Sequence, residues 1–128
     1  MTQKRERVLL TGARGFFGRR IQRSLLDHGY EVVSPGRPDF DLLDSQSVRR
    51  TLTDLCPDIV VHSAAYYGGL GLIASEPVRV FHENALMALN ILDASAAVRV
   101  RRFVSIGSAC AYAGQVDGDM QERDYWSG

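Results

Sequence analysis

Short apolar runs alternate with amphipathic stretches along most of the chain, and their two periods separate strands from helices. Val8-Leu9-Leu10 is aliphatic and ends at a glycine turn, which predicts a buried strand. Beyond the turn Phe17, Ile21 and Leu25 recur every four residues, with Arg19, Arg20, Arg23 and Asp27 on other faces. That pattern is an amphipathic helix, which Gly29 is placed to end. Tyr30-Glu31-Val32-Val33 reads as a second strand, broken by Pro35-Gly36 and Pro38, and Phe40-Asp41-Leu42 as a short third. Asp44 or Ser45 then caps a helix that carries Val48, Leu52 and Leu55 on one face and stops at Pro57.

Ile59-Val60-Val61 follows without alternation, as a strand covered on both faces requires. A glycine-bearing loop from Tyr66 to Ser75 leads to Pro77, at the first turn of a long helix. Along that helix Val80, Phe81, Asn84, Ala88, Ile91 and Leu92 fall at helical spacing. Phe103-Val104-Ser105-Ile106 is one more strand, ending at Gly107-Ser108. From Gln115 to Gly128 the apolar periodicity stops, so residues 115–128 are expected to form an exposed tail. The alternation predicts an α/β fold of Rossmann type, a doubly wound parallel sheet of about five strands.

Composition narrows the function. The chain has 128 residues, enough for one domain over 1–128. At 45% hydrophobic and 23% charged it falls outside the composition of disordered chains. Fifteen basic and fifteen acidic residues balance to zero, which argues against nucleic acid or an anionic membrane as partner. No apolar run approaches the roughly 18–20 residues of a membrane span. Cys56 and Cys110 form no CxxC, so neither a disulfide framework nor a zinc site is indicated, and a cytoplasmic protein is expected. Fourteen of the fifteen basic residues are Arg, and the only lysine is Lys4. No lysine is therefore available to a folded site in this chain.

Thr11-Gly12-Ala13-Arg14-Gly15-Phe16-Phe17-Gly18 lies between the first strand and the first helix. Gly12 suits a tight turn, Gly15 a close approach of backbone to a diphosphate, and Gly18 close packing of helix on strand. Strand, glycine turn and helix in that order make a dinucleotide site the expected reading. With Asp41-Leu42-Leu43-Asp44 and His62-Ser63-Ala64-Ala65, this Thr-Gly-x-x-Gly-x-x-Gly segment resembles the extended short-chain dehydrogenase/reductase family, the NAD-dependent epimerases and dehydratases. The likeness runs from Val8 through nearly the whole chain. Gly12, Gly15 and Gly18 are expected to cradle the cofactor phosphates, and Thr11, Phe16 and Phe17 to be cofactor-binding residues beside them. The likeness also implies that Asp41 and Leu42 lie against the adenine, that Ala64 and Ala65 line the path from the diphosphate to the nicotinamide, and that Asn84 is a further cofactor-binding residue.

The second strand ends Val33-Ser34-Pro35-Gly36-Arg37, without the acid that usually takes the ribose 2′-hydroxyl of NAD. Arg14 and Arg37 are placed instead to meet a 2′-phosphate, for which guanidinium is well shaped. NADP is the expected cofactor, with NAD as the alternative. After the last strand, Ser108 matches the family serine that hydrogen-bonds the reacting oxygen of the substrate. Cys110 narrows the resemblance to the GDP-fucose synthase group, where a cysteine two residues after that serine moves protons beside a keto group. The alternative for Ser108 is a turn residue, and for Cys110 a small apolar one. His62 is expected to be a packed, hydrogen-bonded side chain, and His28 and His82 surface residues.

The Tyr-x-x-x-Lys pair of the family is absent, since Val116 stands four residues after Tyr112. The chain is therefore expected to be the N-terminal, cofactor-binding part of a longer enzyme, inactive alone. The reading favoured is an NADP-dependent nucleotide-sugar epimerase/reductase. An NAD-dependent sugar-nucleotide 4-epimerase or 4,6-dehydratase, and a non-catalytic NAD(P)-binding module or redox sensor, stay open. A nucleotide sugar is the implied substrate, and a homodimer or association through an exposed edge strand is expected.

Overall fold

The structure is a computed structural model and describes residues 5–112, 114 and 118–126. Four parallel strands form one sheet in the order β2-β1-β3-β4: β1 Arg7–Thr11, β2 Glu31–Val33, β3 Ile59–His62 and β4 Arg102–Ser105. Helix α1 (Phe16–Asp27) connects β1 to β2, and α2 (Ser45–Leu55) connects β2 to β3. The short α3 (Gly69–Ser75) and long α4 (Pro77–Ala97) connect β3 to β4. In register, Thr11 stands beside His62 and His62 beside Ser105.

Alternation within the strands divides the core. Leu9 and Val60 face α2 and α4, packing with Val48, Leu52, Met87, Ile91 and Ala94. Val8, Leu10, Ile59 and Val61 face the other way, against Ile21 and Leu25 of α1. Side chains that alternate across a strand need apolar cover on both sides, which explains why β1 and β3 are apolar at successive positions. The chain leaves β1 toward β2 on one side and returns to β3 on the other. This reversal opens a crevice at the carboxyl ends of β1 and β3, where ligands of open α/β sheets sit.

Three expectations are corrected. Phe40-Asp41-Leu42 is not a strand, so the described sheet has four strands rather than five. Its polar groups are held locally: Phe40 N–H donates to Gly36 O, and the Asp41 carboxylate accepts from Leu43 N at 3.0 Å. Phe40 and Leu42 instead plug the core, and Asn90 of α4 fastens the turn by donating to Leu42 O at 2.8 Å. The loop after Tyr66 contains a helix, α3. On α4, Phe81 and Leu92 are exposed, and Met87, Ile91 and Ala94 form the buried stripe. Between 118 and 126 the tail is exposed over most of its length but forms a 3₁₀ turn at Glu122–Trp126; residues 115–117, 127 and 128 lie outside the described residues.

Candidate functional site

The glycine loop occupies the crevice, and each glycine there answers a different contact. Gly12 has φ +70°, and a Cβ on it would lie 2.6 Å from Ala64 N. Both the left-handed backbone and the neighbouring strand end exclude a side chain. A Cβ on Gly18 would collide with the Gly12 carbonyl, so the first turn of α1 rests directly on the loop. Gly15 is looser, its nearest contact Gly12 O at 3.3 Å, and it serves as the N-cap of α1 with no side chain closing the helix. The amides of the first turn of α1 are thus left as donors, and the helix dipole adds positive potential at the same place. Phe16 and Phe17 project outward, 69% and 62% exposed, their rings packed edge to face.

Thr11 sits beneath this loop with its hydroxyl fully engaged. Ser63 N and Ala64 N donate to Thr11 Oγ1 at 3.1 and 3.2 Å, and His62 Nδ1 lies 2.8 Å away. A hydroxyl has two lone pairs and one proton. With the two amides on the lone pairs, the proton goes to His62 Nδ1, so His62 is neutral and carries its own proton on Nε2. Burial lowers the His62 pKa, in keeping with a neutral ring. The clamp fastens the Ser63–Ala64 bend to the end of β1. His62 is therefore the packed residue expected, and His28 and His82 are exposed.

Two clefts meet at the loop. The smaller, about 340 Å³, runs from Gly12 and Gly15 past Arg14 to Arg37, Phe40 and Leu42 beyond β2. Arg37 pairs with Asp41 at 3.7 Å, and Arg14 makes no ion pair among the described residues. Leu42 lines this cleft and Asp41 does not. The larger, about 890 Å³, joins Phe16 to Gly18 with Ala64, Ala65 and Asn84, and reaches Ser108 beyond β4. Ser108 is exposed and its hydroxyl accepts from Cys110 N at 3.2 Å, which makes it a turn residue as well as a candidate contact. Cys110 is an exposed free thiol.

Asn84 lines the larger cleft, but its carboxamide serves the backbone. It accepts from Tyr66 N at 2.8 Å and donates to Tyr66 O and Val80 O at 2.9 and 2.7 Å. It thereby holds the strand of loop between the two clefts. Tyr66 in turn hydrogen-bonds Glu76 and lies under Arg79, which Glu76 and Glu83 keep firmly charged. Burial and Glu76 raise the Tyr66 phenol, against the opposing pull of Arg79. Sequence reasoning missed the Thr11–His62 bond and the lining role of Glu83 and Met87. A polar Thr and His at the ends of two adjacent buried strands were the available signal.

The family described as "NAD dependent epimerase/dehydratase" matches residues 8–125. A GDP-L-fucose synthase of Azorhizobium caulinodans is 31% identical over 125 residues, which cover 98% of this chain and 40% of that enzyme. Among solved structures, a GDP-L-fucose synthetase of Naegleria fowleri bound to NADP superposes with a TM-score of 0.81 at 25% identity, covering all of this chain and 38% of that one. The UDP-glucose 4-epimerase of Thermus thermophilus, in complex with NAD, gives 0.76 at 30% identity over 92% of this chain and 43% of its own. The chain spans about two-fifths of the length of these relatives.

Proposed function

The chain belongs to the NAD dependent epimerase/dehydratase family, and we propose that it is the NADP-binding N-terminal part of a nucleotide-sugar epimerase/reductase of the GDP-fucose synthase kind. The observation that carries this reading is the smaller cleft. There the glycine loop and two arginines line one surface, and the end of β2 offers no acid. The site fits a dinucleotide phosphate. Gly15 leaves room for it, the uncapped amides of α1 supply donors, and Arg14 and Arg37 supply the charge that a 2′-phosphate needs. The reduced cofactor, NADPH, when bound, would supply the hydride.

The chain's own residues divide the remaining work. The Thr11–His62 clamp and Asn84 keep the Ser63–Tyr66 segment beside the cofactor path. Ser108 stands at the far end of the larger cleft as the hydrogen-bonding contact for the substrate oxygen, and Cys110, two residues on, is the proton carrier. A sugar-nucleotide is the substrate class. Val104 on β4 and Ile106 just beyond its end are exposed, and β4 pairs only with β3 among the described residues. Association through that edge is expected.

Calorimetric titration with NADPH and NADH tests the reading. NADPH is expected to bind at least about tenfold more tightly, as one good charge-assisted contact provides. Equal or tighter binding of NADH would move the assignment to an NAD-dependent 4-epimerase or dehydratase. Sedimentation as a dilute monomer would remove the edge-association proposal alone.

A further inference from the structure

The guanidinium of Arg14 lies across Gly36, in the segment that follows β2. A Cβ built on Gly36 would stand 2.5 Å from Arg14 Nη2, 3.3 Å from Cζ and 3.8 Å from Nε. All three nearest atoms belong to that one guanidinium. The backbone of Gly36 lies outside the left-handed region, so a side chain there meets no conformational penalty. What the glycine provides is room, and Arg14 uses it.

We infer that Gly36 is a specificity-determining position: its missing side chain lets the Arg14 guanidinium lie over the end of β2, at the 2′-phosphate end of the cleft. Ser34, Gly36 and Arg37 line the same cleft as Arg14, so the guanidinium reaches from the glycine loop to the segment where NAD and NADP differ. Arg14 has no carboxylate partner among the described residues to hold it there, whereas Arg37 is paired with Asp41. A methyl at residue 36 would therefore require the far end of this exposed side chain to shift away from the end of β2. This inference rests on the NADP reading and deepens it.

The test measures the affinity of the protein for NADPH and NADH in the wild type and in Gly36→Ala, Gly36→Val, Arg14→Ala and the double variant Gly36→Ala/Arg14→Ala. Gly36→Ala is expected to weaken NADPH binding about tenfold and Gly36→Val further, the scale of one charged hydrogen-bond contact, with NADH affinity and melting temperature unchanged. In the double variant Gly36→Ala adds nothing to Arg14→Ala, because the methyl acts only through the guanidinium. If Arg14→Ala weakens NADPH and Gly36→Ala does not, the inference about Gly36 is overturned and the cofactor reading stands. Equal losses for both nucleotides would make Gly36 a general backbone requirement and overturn it too. A wild type without preference for NADPH removes the cofactor reading and this inference together.

Discussion

Helices α1 and α2 begin in nearly the same way and end up with opposite roles. Each starts from a residue with extended backbone, Gly15 at φ −74° and Asp44 at φ −100°, and each packs one apolar stripe on the sheet. Asp44 closes its helix by accepting from Gln46 N at 2.9 Å. Gly15 closes nothing with a side chain, and because glycine is itself a tolerated N-cap, α1 gives up only roughly a few tenths of a kcal/mol relative to a side-chain cap. The helix closed by its own residue is structural. The open one is where the loop, the strand ends and the two clefts converge.

The largest break in that comparison comes from Gly18. Gly18→Ala drives a methyl into the Gly12 carbonyl, backbone against backbone, and should cost about 3 kcal/mol in chemical denaturation. An unchanged midpoint would remove close packing as the reason for that glycine. Thr11→Val comes next, at roughly 2 kcal/mol, since it leaves two amides and His62 Nδ1 without their partner. Thr11→Ser should recover most of the loss, and failure to do so would show that the methyl, not the hydroxyl, matters.

Exchanging the two caps sharpens the contrast. Gly15→Asp gives α1 a cap like that of α2 and should reduce NADPH affinity at least tenfold, about 1.4 kcal/mol, with little change in melting temperature. Asp44→Ala should do the reverse, costing about 1 kcal/mol of stability and leaving NADPH affinity alone. If both variants moved affinity equally, the two helix ends would not differ as described.

The smallest effect is that of pH. Burial holds the His62 pKa below the ordinary imidazole value of about 6.5. The unfolded chain therefore takes up a proton before the folded one does. The stability from His62 is complete above about pH 6.5 and declines as pH falls from there toward the lowered folded value. Melting temperature against pH should show this decline in the wild type and lose it in His62→Gln. Protonation also places a proton on Nδ1, which the Thr11 hydroxyl has no lone pair left to accept. A wild-type profile flat from pH 7 to 5 would contradict the clamp.

Much of the architecture was legible because its signals are local. The apolar runs of β1, β3 and β4, the Pro77 start of α4, the Asp44 cap and the spacing of Gly12, Gly15 and Gly18 depend on neighbours within a few residues. Phe40-Asp41-Leu42 misled for the same reason. Apolar alternation states that two residues are buried, and it does not state that a strand lies alongside to take the hydrogen bonds. The face of α4 was blurred because a 3.6-residue period admits a broad stripe, and only contact with α2 and β3 selected Met87, Ile91 and Ala94 over Phe81 and Leu92.

The candidate site divides along the same line. Sequence alone determined that a glycine turn joins a buried strand to a helix, and that no acid ends β2, since both are properties of consecutive residues. Tertiary structure decided that Thr11 meets His62 across 51 residues, that Asn84 serves the Tyr66 backbone, and that Arg14 lies over Gly36. Those pairings arise where the sheet brings separate strand ends to one edge. Hydrogen bonds and van der Waals contacts act over a few ångströms in space, whatever the separation along the chain.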